Sequence, residues 1–141
     1  NQTLSTLNEK QIHRIVAYHG SAYPMVTHEI QDIVSQLRNH FCPLFEEYGV
    51  KFVLEHHYHA LAQTFPIKNG KVDHENGIHY LGAGAWGLTR KSLGPTPSYL
   101  KFQENYSNIY FTRCNSELCE VNTVIYHPKK RETEIYSSLV V

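Results

Sequence analysis

The chain has 141 residues, 41% hydrophobic and 12% aromatic, which is apolar surface enough for one core, excludes global disorder and leaves no length for a second complete domain. Thirteen Lys and Arg balance thirteen Asp and Glu, so a net charge of zero removes the electrostatic motive for a nucleic-acid or anionic-membrane partner. Apolar stretches such as Val50 to Leu54, which contains Lys51, and Leu139 to Val141 fall far short of the roughly 18 residues that a membrane span needs.

At the amino end, Asn1-Gln2-Thr3 is no signal peptide and brings no initiator Met, so the chain reads as mature, processed or partial. Arg14 to Tyr18 is short, apolar and bounded by polar residues, which predicts a buried strand that delivers His19 at its carboxyl end. After the loop Gly20 to Pro24, Thr27 can cap a helix whose apolar residues Ile30, Ile33, Val34, Leu37 and Phe41 recur at helical spacing. Pro43 either kinks this helix or starts a second one carrying Leu44, Phe45 and Tyr48, and Gly49 is the stop. Val50 to Leu54 is apolar apart from Lys51, which predicts a strand covered on both faces, and it leads into Glu55-His56-His57-Tyr58-His59. Ala60 to Ile67 reads as extended, Lys68-Asn69-Gly70-Lys71 as a hairpin turn, and Ile78 to Leu81 as a strand. The run Gly82-Ala83-Gly84-Ala85-Trp86-Gly87 matches no dinucleotide or phosphate-loop fingerprint and reads as a close-packed loop. From Tyr106 the pattern turns to β: Asn108 to Thr112, Val121 to Tyr126, a turn at His127 to Lys130, then Glu134 to Val140. The order β, α, β and a β-rich tail places the chain in the α/β class.

Ten histidines are the compositional oddity. Three of them follow the two buried strands: His19 after the first, His57 and His59 after the second, at the edge where open α/β sheets bind ligands. Were the second segment extended, His57 and His59 would point to one side, about 6.6–6.8 Å apart along the backbone, a spacing that suits two neighbouring metal ions. Cys114 and Cys119 flank the turn-like Asn115-Ser116-Glu117-Leu118 between two strand-like runs, so their Cα atoms can come within the roughly 4.4–6.8 Å of a disulfide. Cys42 is then the odd thiol, either buried and inert beside Pro43 or paired with another chain. The triplets starting at Asn1 and Asn105 are N-glycosylation acceptors; with the disulfide they point to an oxidising compartment.

Several blocks occur together and in order. Val16-Ala17-Tyr18-His19 is followed by Ala22-Tyr23-Pro24, then by the helix end Phe41 to Val50, and then by His56-His57-Tyr58-His59-Ala60. Thr64-Phe65-Pro66-Ile67, Asn69-Gly70-Lys71 and Ile78 to Gly84 complete the series. This pattern resembles the C-terminal half of a calcineurin-like metallophosphoesterase, closest to the purple acid phosphatase branch, in which a V-x-x-H strand end and a P-x-Y-type loop precede a helix and G-H-x-H-x-Y-E-R. The resemblance covers Arg14 to the C-terminus. It implies half of a four-layer α/β/β/α sandwich over residues 1–141, with two metal ions, iron paired with zinc, manganese or iron. His19 and His57 would bind one ion and His59 the other, while His28 would contact phosphate or protonate the leaving group. The activity implied is hydrolysis of phosphate monoesters by a metal-bound hydroxide, in a secreted or endolysosomal/vacuolar setting.

Two departures stand against this. His56 replaces a family glycine, and Ala62 and Gln63 replace the Glu-Arg pair. No D-x-H, G-D-x-x-D or G-N-H block is present, and three imidazoles cannot fill two coordination spheres. Catalysis is therefore expected only with a chain or segment carrying the N-terminal half, docked over more than roughly 2,000 Å². The alternative is a secreted structural or assembly protein that keeps the half-fold without catalysis.

Overall fold

The computed structural model of the protein describes residues 13–25, 31–84 and 93–141. It is mixed α/β and rich in sheet. The first strand, β1 (Arg14–Tyr18), has the bounds its apolar run predicts, but only alternate side chains are covered. The expected buried strand is thus corrected to an edge strand: among the described residues β1 pairs with β2 (Val50–Glu55) alone, in parallel.

A continuous helical segment follows, formed by α1 (Gln31–Gln36), a π-helical stretch at Leu37–Phe41 and α2 (Cys42–Glu47). The cause of the π stretch is local. Pro43 has no N–H and its ring crowds the carbonyl four residues earlier, and the helix widens just before it, with the Cys42 N–H donating to Leu37 O. Leu37, Cys42 and Phe45 pack on the sheet, whereas Ile33 and Phe41 stay about half exposed, at 46% and 50%. Thr27 and Ile30, the expected cap and first apolar position, lie outside the described residues.

Beyond β2 come β3 (Leu61–Thr64), β4 (Ile67–Lys68), β5 (Lys71–Val72) and β6 (His79–Gly82). The β4–β5 hairpin turns through Asn69 and Gly70 at φ 50° and 71°, the left-handed geometry that Asn-Gly accepts. Then follow β7 (Leu100–Glu104), which the sequence reading did not anticipate, and β8 (Ser107–Cys114), β9 (Cys119–His127) and β10 (Glu132–Val140). The five-stranded sheet runs β1-β2-β6-β3-β7, parallel across β1, β2 and β6 and antiparallel at β3 and β7. A meander of order β10-β9-β8 forms the second sheet.

Strand alternation divides the core. Val53 and Tyr80 face the helices with Tyr23, Cys42 and Phe45. Phe52 and Leu81 face the meander, against Cys119 and Val121. The Tyr110 hydroxyl of β8 donates to Gly82 O at 2.7 Å and ties the sheets together. Cys114 and Cys119, directly opposed on β8 and β9, are joined by a disulfide with Cα atoms 4.1 Å apart. No helix among the described residues is long and apolar enough to cross a membrane.

Cys42 is buried and is not part of the disulfide. Burial pushes its thiol up to about 11. The raised value favours the fold up to the ordinary thiol range near 9, a contribution lost as pH climbs towards 11. Iodoacetamide at pH 8 should therefore leave Cys42 unmodified in the native protein and label one thiol per chain after non-reducing denaturation.

Candidate metal site

Parallel pairing in register puts Tyr18 of β1 opposite Glu55 of β2, and Glu55 opposite Gly82 of β6. The carboxyl ends of these strands therefore share one edge, and the residues that follow them meet there. The β1–β2 ladder runs one step further, with the His56 N–H donating to His19 O at 3.3 Å. This step brings two rings together: His57 Nδ1 lies 3.2 Å from His19 Nε2, the ring centroids 5.2 Å apart and the planes at 87°. The contact is a ring-to-ring hydrogen bond; two nitrogens bound to one ion at about 2.0–2.1 Å and a tetrahedral angle would lie about 3.3 Å apart, so the same separation also accommodates two ligands on a shared ion.

His59 is placed differently from the extended reading. β2 ends at Glu55, residues 57–60 form a turn, and His59 sits at φ 54°. The chain must reverse here because β3 runs antiparallel to β6 and lies beyond it. The extended geometry behind the expected spacing of His57 and His59 therefore does not arise. Among the described residues no group of three or more His, Cys, Asp or Glu is assembled to hold an ion. His28 and Asn1 lie outside the described residues, and Asn105 is exposed between β7 and β8. His56 is exposed, while Ala62 and Gln63 are buried in β3. Partial burial, and then the neighbouring His19, hold the His56 imidazole below its ordinary value.

One residue of this edge escaped the sequence reading. Glu55 is 4% exposed. Its Oε1 accepts from the Tyr18 hydroxyl at 2.7 Å and from the Ala22 N–H at 2.8 Å. The nearby Ser21 side chain and Tyr23 N–H also favour the ionised carboxyl group. Burial pushes Glu55 up to about 7, against these bonds, which favour the ionised form. The available signal was alternation: Glu55 shares the inward face of Val53 and ends an apolar run next to the histidines.

The loop that carries His19 is held from its other side by Arg38. The guanidinium Nε donates to Ala22 O at 2.6 Å and lies 4.5 Å from the Tyr23 ring centroid. Tyr99 donates its hydroxyl to Pro24 O.

No protein-family profile matches the sequence, and no curated protein matches it. Solved structures do. A purple acid phosphatase, PPD1 from yellow lupin (Lupinus luteus) seeds, aligns with TM-score 0.78 at 14% identity, over 99% of this chain and 26% of its own. PhoD aligns with TM-score 0.65 at 10% identity, over 99% of this chain and 32% of its own. GAP50, the anchor in the inner membrane complex of Plasmodium, aligns with TM-score 0.62 at 15% identity, over 96% of this chain and 38% of its own. The chain thus spans well under half of each of these proteins, and at such identities the likeness is one of fold: a phosphoesterase-type arrangement resembling the purple acid phosphatase.

Proposed function

We propose that the chain is the C-terminal part of a dinuclear-metal phosphoesterase that hydrolyses phosphate monoesters. The observation that carries this reading is the His19–His57 pair, 3.2 Å apart at the carboxyl edge of a phosphoesterase-like sheet. In this reading His19 and His57 hold one ion of an iron-containing pair, His59 contributes to the other, and His28 protonates the departing alkoxide. When bound, such a pair supplies Lewis acidity at the phosphoryl group and an activated water. Besides His59 and His28, the chain contributes the fixed separation of the His19 and His57 imidazoles.

The remaining ligands come, in this proposal, from a segment carrying the N-terminal half of a four-layer sandwich. The partial coverage of the fold neighbours supports that view, as does β1, whose outer edge is unpaired among the described residues. The disulfide is compatible with a secreted or endolysosomal/vacuolar protein, glycosylated at Asn1 and Asn105. A second reading is favoured by the likeness to the Plasmodium anchor protein together with His56, Ala62 and Gln63: a structural or assembly role on the same fold.

Metal analysis separates the two. The protein assembled with its N-terminal half should carry two transition-metal ions per copy, and His57→Ala should lower this to one or fewer. Less than one ion per copy, with His19, His57 and His59 unliganded, would sink the catalytic reading. A chain that on its own is soluble, monomeric and cooperatively unfolding would remove the need for the other half.

A further inference from the structure

Residues 21–23 are buried, Ala22 completely, although they belong to a loop. A buried loop must find partners for its backbone polar groups, and at Ala22 these are side chains and not a backbone ladder. Ala22 is held on both sides of its residue: its N–H by Glu55 Oε1 at 2.8 Å and its C=O by Arg38 Nε at 2.6 Å. The same Glu55 oxygen takes the hydroxyl of Tyr18, the last residue of β1. His19 lies between these two anchor points, one residue after Tyr18 and three before Ala22.

We propose that Glu55 is a positioning residue of the metal site: its carboxyl group latches Tyr18 and the Ser21–Tyr23 segment to the end of β2 and so sets His19 beside His57. The latch rests on the metal-binding reading above. Glu55 acts through the backbone on either side of His19, while His57, two residues further along the chain, is anchored to the same strand end. One side chain thereby fixes both members of the pair to a common point. Truncating it leaves the buried Ala22 N–H without its acceptor, and the loop must open to solvate it.

The test uses the assembled protein stripped of metal, with zinc titrated calorimetrically and backbone amide exchange read by NMR. Glu55→Ala should weaken the His19–His57 zinc site by about tenfold or more, as loss of a ligand-orienting contact commonly does, and should strip exchange protection from the Ala22 amide. Glu55→Gln keeps an acceptor oxygen for Tyr18 and Ala22 but sets an NH2 group against the remaining donors, so it should fall between Ala and wild type in both readouts. Phe52→Leu, on the opposite face of the same strand, should lower stability and leave zinc affinity unchanged. Wild-type zinc affinity in Glu55→Ala overturns the latch, and so does an equal loss of affinity in Phe52→Leu. Absence of zinc binding in the wild type overturns the metal reading; the latch is then judged by amide exchange, where equal Ala22 protection in wild type and Glu55→Ala overturns it.

Discussion

Phe52→Ala is expected to destabilise the protein by about 3–5 kcal/mol. Phe52 is fully buried in the middle of β2, a strand with neighbours on both sides, and its ring packs against Leu81, Cys119 and Val121 between the two sheets. Removal of the ring takes away its transfer free energy and leaves a void that cannot close, because the backbones around it are fixed by two ladders. A domain of this size has about 5–15 kcal/mol in total, so the loss should move the urea midpoint by a large fraction of its value. Ile135→Ala, at a site 65% exposed on the outer face of β10, is the contrast and should stay within about 0.5 kcal/mol. Equal midpoints for the two variants would contradict this account of the core.

Gly84→Ala should also destabilise the protein strongly, by about 3 kcal/mol, through overpacking instead of a void. A Cβ at Gly84 would sit 2.0 Å from Tyr106 O and 2.8 Å from Asn108 Oδ1. The first of these is a backbone atom, so no rotamer change relieves it. The Gly84 N–H also donates to Asn108 Oδ1, and Asn108 is buried at the start of β8. The substitution therefore pushes apart the two segments that join the five-stranded sheet to the meander. Thermal denaturation should show the loss directly; a variant with wild-type melting would mean that this approach is much looser than described.

The same glycine shows what could be read in the sequence. Gly82 to Gly87 reads as close packing because small residues in a cluster allow backbone approach, and Gly84 makes such an approach, while Gly87 lies outside the described residues. β2 and the β4–β5 hairpin were legible for similarly local reasons, an apolar run and an Asn-Gly pair. Burial was not. The composition of β1 is that of an interior strand, yet whether a neighbour lies on its far side is a property of topology. β7 was missed although Leu100-Lys101-Phe102-Gln103 alternates, because it follows a Gly-Pro-Thr-Pro stretch and gains its status by pairing with the distant β3.

In the site, strand ends located His19 and His57, since a parallel register carries the carboxyl ends to one edge. The geometry of His59 was not legible, because the reversal after Glu55 is imposed by where β3 lies in the sheet. Glu55 was hidden for a related reason: its partners, Tyr18 at the end of β1 and Ala22 in the loop after it, lie more than thirty residues earlier in the chain.

The disulfide bears on how the meander could go wrong. Cysteines only five positions apart close a short loop, for which chain entropy gives a stabilisation of about 2 kcal/mol, small beside what a long-range crosslink would give. Its greater effect is on strand alignment. Val121, Thr123 and Ile125 face inward from β9 by strict alternation, and a slip of one residue would turn all of them to solvent and bring Tyr126 inside. A covalent bond between the directly opposed Cys114 and Cys119 makes that slip impossible while it is intact. Under reducing conditions the hairpin therefore loses its alignment lock, and misregistered β8–β9 pairings become accessible to a chain whose other contacts are unchanged.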